Sequence, residues 1–133
     1  MKLEESIGES MEDYLESILV LSQCIDRVRS VDVASYLGFS KPSVSHAVKL
    51  MVNQELISLN ENKIITLTEK GRAIAQETYN RHLFFTDMLT AIGVPKEVAQ
   101  EDACRIEHVI SSETFDRIKD FARQYINEHP HEK

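Results

Sequence analysis

The chain has 133 residues, 42% of them hydrophobic and 28% charged, enough for one compact unit or two small subdomains sharing a core. No apolar run approaches the roughly 18–20 residues of a membrane span. The start, Met1-Lys2-Leu3-Glu4-Glu5, lacks the basic-then-apolar pattern of a secretory signal, so the expectation is a cytoplasmic protein with no membrane partner. A net charge of −7 argues against an unconditional nucleic-acid binder, and two distant cysteines, Cys24 and Cys104, fit neither a structural disulfide nor a zinc ribbon or finger.

Residues 9–24 carry Met11, Tyr14, Leu15, Ile18, Leu19 and Leu21 at helical spacing, which predicts an amphipathic helix. Ser10 followed by Asp13 matches a capping box at its start, which gives Asp13 a purely local role as a cap partner. A short helix fits Ser30 to Leu37 and stops at Gly38. Ser40 then caps a third helix from Lys41 to about Gln54, with Pro42 tolerated in its first turn. Leu56-Ile57-Ser58-Leu59 and Ile64-Ile65-Thr66-Leu67, joined by the polar turn Asn60-Glu61-Asn62-Lys63, predict a β-hairpin. Thr68-Glu69-Lys70-Gly71 precedes a long helix through Ala73, Ile74, Tyr79, Leu83, Phe84 and Leu89, broken at Gly93-Val94-Pro95. A helix follows from Pro95 to about Ile110, and Ser111-Ser112 caps a last one carrying Phe115, Ile118, Phe121, Ala122 and Tyr125. The tail from Glu128 to Lys133 is expected to fray. The chain is thus predicted to be mainly α: a winged helix-turn-helix of three helices and a β-hairpin wing over residues 1–72, then a helical domain over 73–133.

Charge supports that division. Residues 1–25 hold one Lys against six acids, residues 26–72 hold seven Lys/Arg against five acids, and residues 73–133 hold seven against eleven. A basic island therefore lies between two acidic blocks, and any DNA contact belongs there. The outer face of the third helix offers Ser40, Lys41, Pro42, Ser43, Ser45, His46 and Lys49, a set of hydroxyls and cations able to reach base edges and phosphates in a major groove. Arg27, Arg29 and, in the wing, Lys63 are placed to hold flanking phosphates, contacts that position without reading sequence. The alternative is an adaptor that uses the same winged helix to bind protein.

The run Asp102-Ala103-Cys104-Arg105-Ile106-Glu107-His108 carries the chemistry. On a helix Cys104, Glu107 and His108 stand at i, i+3 and i+4, so thiolate, carboxylate and imidazole share one face. Those donors suit a divalent first-row transition metal. The plainer alternative makes Cys104 a buried small apolar residue with Glu107 and His108 on a solvated flank. No Gly-rich phosphate loop and no nucleophile–base pair is present, so neither an enzyme nor a small-molecule substrate is expected.

Taken in order, Met11-Glu12-Asp13-Tyr14-Leu15-Glu16, Ser40-Lys41-Pro42-Ser43-Val44-Ser45, Leu67-Thr68-Glu69-Lys70-Gly71, Arg81-His82 and Asp102 to Val109 resemble the diphtheria-toxin-repressor family of metal-dependent transcriptional regulators. The resemblance spans almost the whole chain and looks like the family's short branch, without the SH3-like third domain. It implies a homodimer joined through C-terminal helices. Each subunit would present one recognition helix to palindromic operator DNA when loaded with Fe(II) or Mn(II), controlling metal-ion homeostasis, most simply as a repressor. Co(II), Ni(II) and Zn(II) would substitute in vitro. It further implies that Asp13, Glu16 and His82 join Cys104, Glu107 and His108 as metal ligands. The subtype is mixed: Asp13 follows the manganese branch, where the iron branch has Met, and Cys104 follows the iron branch, where the manganese branch has Glu. Of the iron branch's ancillary site only His82 is matched, with Thr86 and Gln100 standing where a Glu and a His are expected.

Overall fold

The computed structural model describes residues 9–128, which form two compact units meeting within one helix, between Tyr79 and Asn80. The expected fraying of His129 to Lys133 lies outside the described residues. Unit one contains α1 (Glu9–Ser22), α2 (Ser30–Leu37), α3 (Lys41–Asn53), β1 (Ile57–Leu59), β2 (Ile65–Leu67) and the first part of α4 (Glu69–Ala91). Unit two contains the rest of α4, then α5 (Lys96–Ile106) and α6 (Ser112–Glu128).

The apolar stripes read from the sequence build the core of unit one. Leu15, Ile18 and Leu19 of α1, Val33 of α2, Val44 and Met51 of α3, and Leu56 are buried together, and Tyr14 meets Phe39 edge-on with ring centroids 5.6 Å apart. Gly38 ends α2 in the left-handed region at φ +74° and donates its N–H to Ala34 O at 2.8 Å, a conformation in which glycine pays no Cβ penalty. Ser40 then caps α3, its Oγ accepting from the Ser43 N–H at 3.3 Å. One residue, Phe39, separates the helix stop from the cap, and that fixes the turn of the helix-turn-helix.

The wing is a two-stranded antiparallel ribbon in which Ile57 pairs with Leu67 and Leu59 with Ile65. Asn60 organises its tip: Oδ1 accepts from the N–H groups of Asn62 at 2.8 Å and Ile64 at 2.9 Å. Lys63 donates its N–H to Asn60 O at 2.9 Å and sits at φ +63°. Ile65 also donates to Val28 O at 2.8 Å, which ties the entry to α2 against the wing.

Three boundaries differ from the sequence reading. Helix α1 is described from Glu9, so Ser10 lies inside it rather than at its cap, and it ends at Ser22 rather than at residue 24. Helix α4 starts at Glu69, because the Thr68 hydroxyl accepts from the Gly71 N–H at 3.0 Å and serves as the cap. Helix α5 ends at Ile106, four residues before the predicted stop. Beyond it the bonds tighten to an i→i−3 pattern, His108 N–H to Arg105 O at 3.4 Å and Val109 N–H to Ile106 O at 3.1 Å. The small core of unit two packs Phe85, Ala103 and Phe115 with Phe84, Met88, Ile106, Ile110 and Ile118 around it.

Candidate metal centre and nucleic-acid interface

On α3 burial alternates as a groove-reading helix requires. Val44, Ala47, Val48 and Met51 face the core, while Lys41, Pro42, Ser43, Ser45, His46 and Lys49 are exposed, as is Ser40 ahead of them. Arg27, Arg29 and Lys63 are exposed as well. Arg29 is also engaged locally: its N–H bonds Asp32 Oδ2 at 2.9 Å, and its Nε reaches Asn62 O in the wing tip at 3.4 Å. Arg29 therefore helps to seat the wing.

In unit two the sequence run Cys104, Glu107 and His108 converges as its spacing suggested, although Glu107 is the C-cap of α5 and His108 lies in the turn after it. Continued αR backbone at Glu107 (φ −61°, ψ −22°) keeps the two residues near the helical face. The donor atoms of the three lie within 4.8 Å of one another. Burial reverses the plainer alternative: Cys104 is exposed, whereas the side chains of Glu107 and His108 are 0% and 1% exposed. From α4, His82 places Nδ1 at 2.9 Å from Glu107 Oε1. Asp13 and Glu16 stand three residues apart on α1 in unit one, both half-buried. Glu16 also lies close enough to Tyr36 that its charge adds to burial in raising the phenol above its ordinary pKa.

A carboxylate removed from water must be paired, hydrogen-bonded or bound to a metal. Glu107 satisfies this only on one side. Its Oε1 meets His82, but Oε2 has no hydrogen-bond partner among the described residues, with His108 Nε2 at 3.4 Å out of line for one. A buried carboxylate with an open oxygen, a buried imidazole and an accessible thiol is a donor set that fits a divalent first-row cation.

Sequence reasoning missed one participant. Arg81, noted only as a neighbour of His82, donates Nη1 to Glu107 O at 3.1 Å and to Ile110 O at 3.0 Å, and Nη2 to Ser112 Oγ at 3.1 Å. Nothing in local spacing signals this, since the acceptors lie 26, 29 and 31 residues away.

Comparison with known proteins gives the class. Residues 6–64 match the family model described as the N-terminal DNA binding domain of the iron dependent repressor, and residues 68–133 match its metal binding and dimerisation domain. The chain belongs to this diphtheria-toxin-repressor family of metal-dependent transcriptional regulators, DNA-binding proteins rather than enzymes. Among its relatives, the transcriptional regulator MntR of Escherichia coli is 34% identical over 117 residues, 88% of this chain and 76% of the relative. The MntR regulator of Geobacillus kaustophilus is 35% identical over 119 residues, 90% of this chain and 84% of the relative. Among solved structures, the manganese regulator SloR superposes with a TM-score of 0.74 at 25% identity over 89% of this chain. The chain spans about half the length of that structure, 54%. Among the described residues no helix is long and apolar enough to cross a membrane.

Proposed function

We propose that this chain is a cytoplasmic transcriptional repressor whose affinity for palindromic operator DNA is raised by Fe(II) or Mn(II). The observation that carries this reading is Glu107, wholly buried between two histidines with one oxygen open, in a chain whose α3 presents an exposed hydroxyl-and-cation face. The functional division follows residues 1–72 for DNA and 73–133 for metal and dimerisation.

Cys104, Glu107 and His108 would hold the ion, with Asp13 contributed by α1. Glu16 and His82 would serve as further ligands, supported by the family resemblance and by the His82–Glu107 contact. Bound there, a divalent cation would supply positive charge to the buried Glu107 carboxylate. In a two-fold homodimer, operator binding needs recognition helices spaced by one DNA turn or a multiple of it, and metal binding would favour that arrangement. Site coupling of this kind typically amounts to ~1–3 kcal/mol. The homodimer is supported by apolar side chains left exposed on unit two, Val109 at 74% and Phe121 at 72%.

The deciding experiment titrates Mn(II), Fe(II) and Zn(II) anaerobically into chelated protein and follows binding to its own promoter DNA by anisotropy at fixed salt. Activation by Fe(II) or Mn(II) at micromolar levels supports the reading; metal-independent binding, or none, leaves a protein-binding adaptor. In the same assay Cys104→Ala is expected to weaken metal activation while metal-free binding at low salt persists. A mutant that responds normally to every ion would remove the thiol from the site. Lys41→Ala is expected to lower affinity with and without metal and to reduce the slope of log affinity against log salt by about one. An unchanged slope would take Lys41 off the phosphates.

A further inference from the structure

We propose that Arg81 is the positioning residue of the metal centre: it is not one of the ligands, and it fixes the backbone that presents Glu107 and His108. The proposal rests on the metal-site reading above. The last carbonyls of a helix have no partner within it, and at the end of α5 this matters more than usual. The helix's own bonding is already loose there, with the His108 N–H 3.4 Å from Arg105 O. Arg81 braces the segment just beyond it. Its Nη1 takes the carbonyls of Glu107 and Ile110, and its Nη2 takes the Ser112 hydroxyl at the start of α6, so one side chain spans the whole connection that begins with the two donors.

The guanidinium is itself held. It lies over the Phe115 ring at 5.1 Å from the centroid, and that ring is buried at 1% exposure. A planar fork of donors is needed to serve acceptors on two sides of a turn, which an ammonium group does not reproduce. The next residue along α4, His82, takes the carboxylate of Glu107 at 2.9 Å. Adjacent residues of one helix therefore grip Glu107 at both its main-chain and side-chain oxygens. Arg81 is the one of the two outside the donor set, and loss of such an orienting partner typically reduces metal affinity about 10–100-fold.

The test binds Co(II) anaerobically to the full chain and reads the dissociation constant by calorimetry. The thiolate charge-transfer and d–d absorption bands, and the melting temperature without metal, complete the readout. Arg81→Gln is expected to weaken Co(II) binding roughly 10–100-fold and to shift the d–d bands, at temperatures well below its melting point. Arg81→Lys is expected to resemble Arg81→Gln more than the wild type. Ser112→Ala, which leaves every donor and Arg81 in place, is expected to give a smaller loss in the same direction. A purely structural role moves only the melting temperature, so folded Arg81→Gln and Ser112→Ala proteins with wild-type affinity and bands overturn the proposal. Where Arg81→Gln does not fold, wild-type affinity and bands in Arg81→Lys overturn it equally. Wild-type protein that binds Co(II) without a thiolate band, or not at all, sinks the site reading and this proposal with it.

Discussion

Glu107→Gln is expected to abolish metal-dependent operator binding while leaving a folded protein. The substitution keeps the shape of the side chain and removes its charge, and the site loses the one carboxylate that is 0% exposed. Metal affinity should fall by more than the roughly 10–100-fold typical of residues that only support a ligand. Stability without metal should change little, by about 1 kcal/mol. Removing a buried charge relieves its desolvation, and the amide that replaces it can still hydrogen-bond the His82 imidazole. Calorimetric titration with Mn(II) alongside thermal melting checks both halves. A dissociation constant within a few-fold of wild type would show that Glu107 is a structural acid, paired with His82 and nothing more.

The second large effect concerns the fold. Gly71→Ala is expected to destabilise unit one by about 3 kcal/mol or more, at or above the upper end for overpacking. A Cβ there would stand 1.9 Å from Leu56 O and 2.9 Å from Leu56 C. That carbonyl cannot move aside: it accepts from the Thr68 N–H at 3.0 Å, Leu56 is wholly buried, and the Thr68 hydroxyl pins the preceding Glu55 O at 2.7 Å. Melting should fall by roughly 10 °C or more. A variant that melts with the wild type would mean that α4 can slide outward at its start without loss.

The Gly71 case shows where sequence reading stopped. Thr68-Glu69-Lys70-Gly71 was legible as a boundary, but all four residues were placed ahead of the helix, which starts at Glu69. Gly71 is a helical residue whose missing side chain makes room for a strand-end carbonyl, and close approach leaves no trace in local propensity. The helix-turn-helix was readable in full because its signals are local: the Gly38 stop, the Ser40 cap, and the alternation of Val44 and Val48 with Lys41, Ser45 and Lys49. The end of α5 was not. No glycine or proline follows Ile106 for several residues, so the pattern reads on to Ile110, and the bonds that settle the turn come from Arg81 on another helix. In the same way the spacing of Cys104, Glu107 and His108 was visible as a motif. That Glu107 and His108 would be the buried members and Cys104 the exposed one depends on tertiary packing.

The wing tip has a consequence for the timing of recognition. Asn60 closes the loop with its own side chain, and Lys63 is already held in the left-handed region by the backbone bond to Asn60. The entropy of ordering this loop is therefore spent during folding, when it is shared with the rest of the core, and not at the moment of encounter with a duplex. For the phosphate contact expected of Lys63, the side-chain rotamers would remain to be ordered then. Such a wing contributes to a complex chiefly by requiring little further ordering on arrival.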